Sequence, residues 1–92
     1  MLGEIIYNEV KSHYQQLDQI VDKDKFISTV ENVNEDFTPR LRKPMEENFQ
    51  ALAENIYNEL DRNFNFPDII DILSKNVLIP IIINIIKGIM KG

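Results

Sequence analysis

Ninety-two residues suffice for one domain, residues 1–92, with a modest core, and the lack of cysteine excludes disulfides and thiolate metal sites. Fifteen acids against ten bases leave a net charge of −5, which excludes nucleic acid as a general partner because neutralising phosphates needs a basic surface. The opening MLGEIIYNEV shows no basic stretch followed by a long apolar run, so no secretory signal is expected. The cytoplasm is then the expected compartment, with the membrane periphery as the alternative.

Helical spacing begins at once. Leu2, Ile6, Val10, Tyr14, Leu17 and Val21 recur three or four residues apart, which predicts one amphipathic helix from about Leu2 to Val21. Asp22-Lys23-Asp24-Lys25 then reads as a break or as the capped start of a second helix, with Asp22 or Asp24 as N-cap. Phe26, Val30, Val33 and Phe37 continue at helical spacing.

TPRLRKP follows. Pro39 and Pro44 bracket it, and a proline disfavours helix in the residue before it, so this segment is expected to be a loop or sharp corner. It holds the chain's one basic cluster: Arg40, Arg42 and Lys43. An arginine fork in a loop suits capture of an acidic peptide or a phosphate, although the same charges also balance an acidic bundle and the preceding helix's C-terminal dipole.

Pro44 suits the first position of a third helix, with Glu46 and Glu47 at its positive end. Met45, Phe49, Leu52, Ile56, Leu60 and Phe64 form its stripe. Within it, Glu54–Phe64 (ENIYNELDRNF) nearly rewrites Glu4–Tyr14 (EIIYNEVKSHY), and the match extends to Asp18/Asp68 and Ile20/Ile70. Two readings stand: a degenerate duplication of residues 4–20 as 54–70, or two amphipathic helices meeting the same demands within one bundle. Two copies fall short of the roughly three a solenoid needs. Tyr7 and Tyr57, the repeated tyrosines, read as boundary residues with a buried ring and a wet hydroxyl.

NFNFPD is the next break, and Pro67 can open a fourth helix with Asp68 and Asp71 near its start. Ile69, Ile70, Leu73 and Val77 continue it until Pro80, which removes a backbone bond and predicts a kink or two short helices near Asn76–Pro80.

The end of the chain is unlike the rest. Ten of the fifteen isoleucines lie in the last 24 residues, so a helix there is apolar around most of its circumference, with Asn84, Lys87 and Lys91 as a thin polar stripe. Burying one isoleucine is worth roughly 1.5–3 kcal/mol, so this segment is expected to be covered. Four environments would cover it. It could be a central helix wrapped by the other three, a helix half buried at home and half in a partner or second copy, an interfacial helix on lipid, or a strand paired across a dimer. A lone transmembrane span is not expected, because the apolar run is shorter than the roughly 20 residues needed and contains Pro80 and Asn84.

Little points to chemistry. His13 is the one histidine, and Glu9 shares its helix face, but no further ligand completes a metal site. Three glycines, Gly3, Gly88 and Gly92, make no phosphate cradle, and Ser12, Ser28 and Ser74 lack a triad pattern. No cofactor, metal or catalytic residue is expected.

The sequence therefore predicts an all-α bundle of four or five helices, the last kinked near Pro80 and largely apolar. Its expected role is non-enzymatic binding of another protein or of a second copy, as an adaptor, inhibitor or immunity-type module. Ile82, Ile85, Ile86, Ile89 and Met90 are the expected contacts, with Arg40, Arg42 and Lys43 second. The alternative is a membrane-associated protein whose segment 77–90 inserts into or lies on a bilayer.

Overall fold

A computed structural model describes residues 2–37, 46–65 and 73–91. These form five α-helices in chain order: α1 (Leu2–His13), α2 (Leu17–Ile20), α3 (Lys23–Phe37), α4 (Glu46–Phe64) and α5 (Lys75–Lys91). No strand occurs among the described residues, so the all-α bundle expected from periodicity is the observed class. The TPRLRKP corner, the opening at Pro44 and Met45, and the start at Pro67 lie outside the described residues.

The long first helix is divided. α1 ends at His13, a turn follows, and α2 adds one further turn before Val21 leaves in extended geometry. Neither glycine nor proline marks this break. Tighter bonds bridge it, with Leu17 N–H donating to Tyr14 O at 3.1 Å and Gln19 N–H to Gln16 O at 2.9 Å. The break keeps Leu17 and Val21 in the core while turning the chain toward α3. Asp22 then caps α3: its Oδ1 accepts the Lys25 N–H at 3.1 Å, an N-cap to N3 bond.

Helix α4 carries its stripe as the spacing requires, with Phe49, Leu52, Ala53, Ile56 and Leu60 buried and Phe64 packed against the core. It stops at Asn65, whose φ of 52° is left-handed and whose N–H donates to Asp61 O at 2.7 Å. Asparagine tolerates that conformation better than most non-glycine residues.

Of the two outcomes expected around Pro80, a kinked helix or two short helices, the second does not occur: α5 runs unbroken past the proline. Leu73 and Ser74 lie outside α geometry just before it, and the Ser74 carbonyl accepts the N–H groups of Val77 (3.1 Å) and Leu78 (2.8 Å) to start the helix. Pro80 then lies inside one continuous helix. The strand reading is overturned by the same observation.

α1 packs on α3, α3 on α4, α4 on α5, and α5 closes back on α1. The four long helices thus form a ring, and α1–α4 and α3–α5 are its diagonals. This corrects the expectation of a central apolar helix: α5 is one wall of the ring, and the shared core lies between all four. Each wall contributes one arc, with Ile6 and Val10 from α1, Phe26 and Val30 from α3, Leu52, Ile56 and Leu60 from α4, and Leu78, Ile82 and Ile86 from α5.

Candidate interaction surface on α5

Because α5 is a wall, its apolar circumference is divided between two environments. Leu78, Ile79, Ile82 and Ile86 point inward and are buried, and Ile83 and Ile85 flank them, partly buried against the core. The opposite arc carries Val77 and Ile81, half-buried, with Pro80, Asn84 and Gly88 exposed. A helix repeats its faces every three to four residues, so 77, 80, 81, 84 and 88 form one continuous outward strip. No charged side chain interrupts the helix from Asn76 to Ile86. The charges of α5 are Lys75 at one end and Lys87 and Lys91 at the other, the latter two complementing the negative helix terminus.

No other long helix presents such an outward face. Glu4, Asn8, Glu9 and Ser12 are exposed on α1; Asp24, Asn32, Glu35 and Asp36 on α3; Gln50, Asn58, Asp61 and Arg62 on α4. Two other large apolar side chains, Ile5 and Ile20, are exposed, each preceded by a polar or charged residue. Such scattered exposure is ordinary.

The contacts expected from sequence fall on different surfaces. Ile82 and Ile86 are 0% and 1% exposed and belong to the bundle's own core, so they have nothing left to offer a partner. Ile85 is partly buried against that core. Ile89 is 45% exposed near the end of α5 and remains available. The Met90 side chain, and Arg40, Arg42 and Lys43 entirely, lie outside the described residues. Sequence reasoning placed Asn84 on the polar stripe of this helix but did not single out Val77, Pro80, Ile81 or Gly88 as its neighbours there. The signal for them was present in Asn84 and Gly88, four residues apart and aligned with Pro80, which marks the solvent side of an otherwise apolar helix.

A second surface feature lies between α3 and α4. Thr29, Asn32, Val33, Asp36, Phe37, Asn55, Glu59 and Asn63 line an open groove of about 460 Å³. Its polar groups are largely engaged within the fold. Thr29 Oγ1 donates to Lys25 O (2.8 Å) and accepts from Asn63 Nδ2 (3.4 Å), Asn55 Nδ2 donates to Ala51 O (2.9 Å), and Glu59 pairs with Arg62 (3.0 Å). The groove therefore reads as a surface seam between two helices.

The aromatic residues are structural. Phe26 stands between Tyr7, edge-on at 5.4 Å, and Phe64, tilted at 6.0 Å. Lys23 and Lys25 place their ammonium groups 5.5 Å from the Tyr7 and Phe64 ring centroids, respectively. Tyr7 is thus deeper than a boundary residue, while its counterpart Tyr57 is half-buried. His13 and Glu9 sit 3.8 Å apart, both about half exposed, and no group of three metal-ligating side chains occurs among the described residues. Among those residues, no helix is long and apolar enough to cross a membrane.

No family model matches the chain, and no curated protein or solved structure shows significant similarity to it.

Proposed function

We propose that this protein works by binding, as a small helical interaction or regulatory module whose contact surface is the outward face of α5. One observation supports this above others: α5 carries apolar side chains around nearly its whole girth although its place in the ring buries one side. The outward faces of α1, α3 and α4 carry charged residues, as helix faces turned only to water usually do. An uncharged strip of Val77, Pro80, Ile81, Asn84 and Gly88 suits a surface that is covered part of the time.

A photoreactive amino acid at position 84, with one at Asn58 on α4 as the control, tests this in the cell that makes the protein. The expected result is one discrete crosslinked species from position 84, none from 58, and loss of the former when Ile81→Lys is added to a chain that stays folded. Equal, diffuse labelling from both positions would remove the reason for singling out α5. Co-sedimentation with liposomes separates the rival lipid-surface role. Vesicle binding that Ile81→Lys abolishes, without any protein crosslink, would replace a protein partner with a bilayer.

A further inference from the structure

The interaction face of α5 has no assigned occupant, and two properties of the helix select one. The first is charge. The chain carries −5, and α1, α3 and α4 turn acids outward, among them Glu4, Glu9, Glu35, Asp36 and Asp61. Two copies meeting through any of those faces set like charges against each other, which disfavours the encounter. α5 has no acid at all and no charge from Asn76 to Ile86. Among the described helices it is the face through which two copies of an acidic chain can meet without setting acids against each other.

The second property is self-complementarity. Asn84 lies one residue from the midpoint of Lys75–Lys91. When two α5 helices run antiparallel about a two-fold axis at Asn84, that residue faces its own copy and Pro80 faces Gly88 on both sides of the axis. An asparagine amide holds both donors and acceptors, so two of them satisfy each other. A single polar pair in an apolar seam also fixes the register of two helices. At Gly88 nothing lies within 4 Å of where a Cβ would stand, which leaves open space opposite the proline ring. Ile81 would lie along the methylene stem of the opposing Lys87. Each contact occurs twice, as an isologous dimer requires.

We propose that the occupant of this face is a second copy of the chain, with the two α5 helices paired antiparallel about Asn84. This rests on the reading of the outward α5 face as an interaction surface. A single helix pair buries less than the ~1,200 Å² of a standard interface, so the dimer is weak and reversible.

The chain has no cysteine, so Asn84→Cys creates a single probe. Under mild oxidation it is expected to form a disulfide-linked dimer at least about tenfold faster than Asn58→Cys, because pairing raises the local thiol concentration. Sedimentation velocity of the unsubstituted chain is expected to show a dimer fraction that rises with concentration. Gly88→Trp should remove that fraction, as should Ile81→Lys if the tryptophan disturbs the fold, with helical circular dichroism unchanged. Equal oxidation rates at 84 and 58, or a monomer at every concentration, overturns the dimer. If the photoreactive group at position 84 still captures a species of another mass, self-pairing alone has failed. If it captures nothing, the interaction face has failed with it.

Discussion

Two glycines show how one residue type serves opposite purposes. A Cβ on Gly3 would stand 2.7 Å from the Ile27 carbonyl oxygen and 3.1 Å from Glu31 Oε1, so α1 and α3 approach through the missing side chain. The same closeness lets Gly3 N–H, one of the unpaired donors at the start of α1, donate to Glu31 Oε1 at 2.6 Å. Helix propensity favours alanine over glycine by roughly 1 kcal/mol, yet Gly3→Ala is expected to lower stability, because backbone must move to admit the methyl. Gly88→Ala meets nothing and is expected to raise stability by about 0.5–1 kcal/mol. Urea titration of the two variants checks both signs. Phe26 is fully buried between Tyr7 and Phe64. Phe26→Ala should cost about 3–5 kcal/mol, a large part of the roughly 5–15 kcal/mol that holds a domain together, and Phe26→Leu much less. Thermal denaturation reads this directly. Surface ion pairs such as Lys11–Asp18 at 3.3 Å are partly exposed and contribute about 1 kcal/mol at most.

At the scale of elements, the helix stripes were legible because each buried arc is written at a spacing of three and four. Phe49 to Phe64 in α4 and Phe26 to Phe37 in α3 show this, and Asp22 was readable as a cap for chemical reasons. Asp22→Ala should cost about 1 kcal/mol, measurable by chemical denaturation. The break after His13 was not legible. The stripe from Leu2 to Val21 keeps helical spacing across it, and no breaker residue announces it, so the signal of periodicity runs straight through a turn set by packing on α3. Pro80 left two outcomes open, a kink or two short helices, and the single helix removes the second: a proline in the second turn removes a single N–H, the one that would have bonded to Asn76 O, and its ring faces solvent. The neighbouring contacts of Leu78, Ile79 and Ile82 carry the helix past it. Pro80→Ala restores the bond without touching the core, and a gain of about 1–3 kcal/mol is expected by calorimetry. No gain would mean that the proline contributes more by stiffening the unfolded chain than it costs the helix.

At the scale of the molecule, sequence composition identified the last helix as the unusual one but left its place open. An apolar girth alone fits a hub as well as a wall. What distinguishes them is which helices lie adjacent, and that depends on chain topology rather than on local pattern. The closed ring of α1, α3, α4 and α5 gives the isoleucines two duties. Ile82 and Ile86 hold the core, and Val77 and Ile81 lie on an uncharged outer face unlike those of the acid-bearing helices α1, α3 and α4. The Glu4–Tyr14 and Glu54–Phe64 repeat fits the same logic. Ile6 and Ile56 are buried, as are Val10 and Leu60, because both helices turn equivalent arcs to one core.

This division of α5 is tested most directly by two adjacent substitutions read by circular dichroism during urea unfolding. Ile82→Lys puts a charge into the sealed core, where the fold cannot neutralise it, and the cooperative transition is expected to vanish or to lose about 3–5 kcal/mol. Ile81→Lys places the same charge on the outer arc, and the transition is expected to stay within about 1 kcal/mol of the unsubstituted chain. Equal damage from both, or equal tolerance of both, would contradict a helix with one face in the core and the other turned outward.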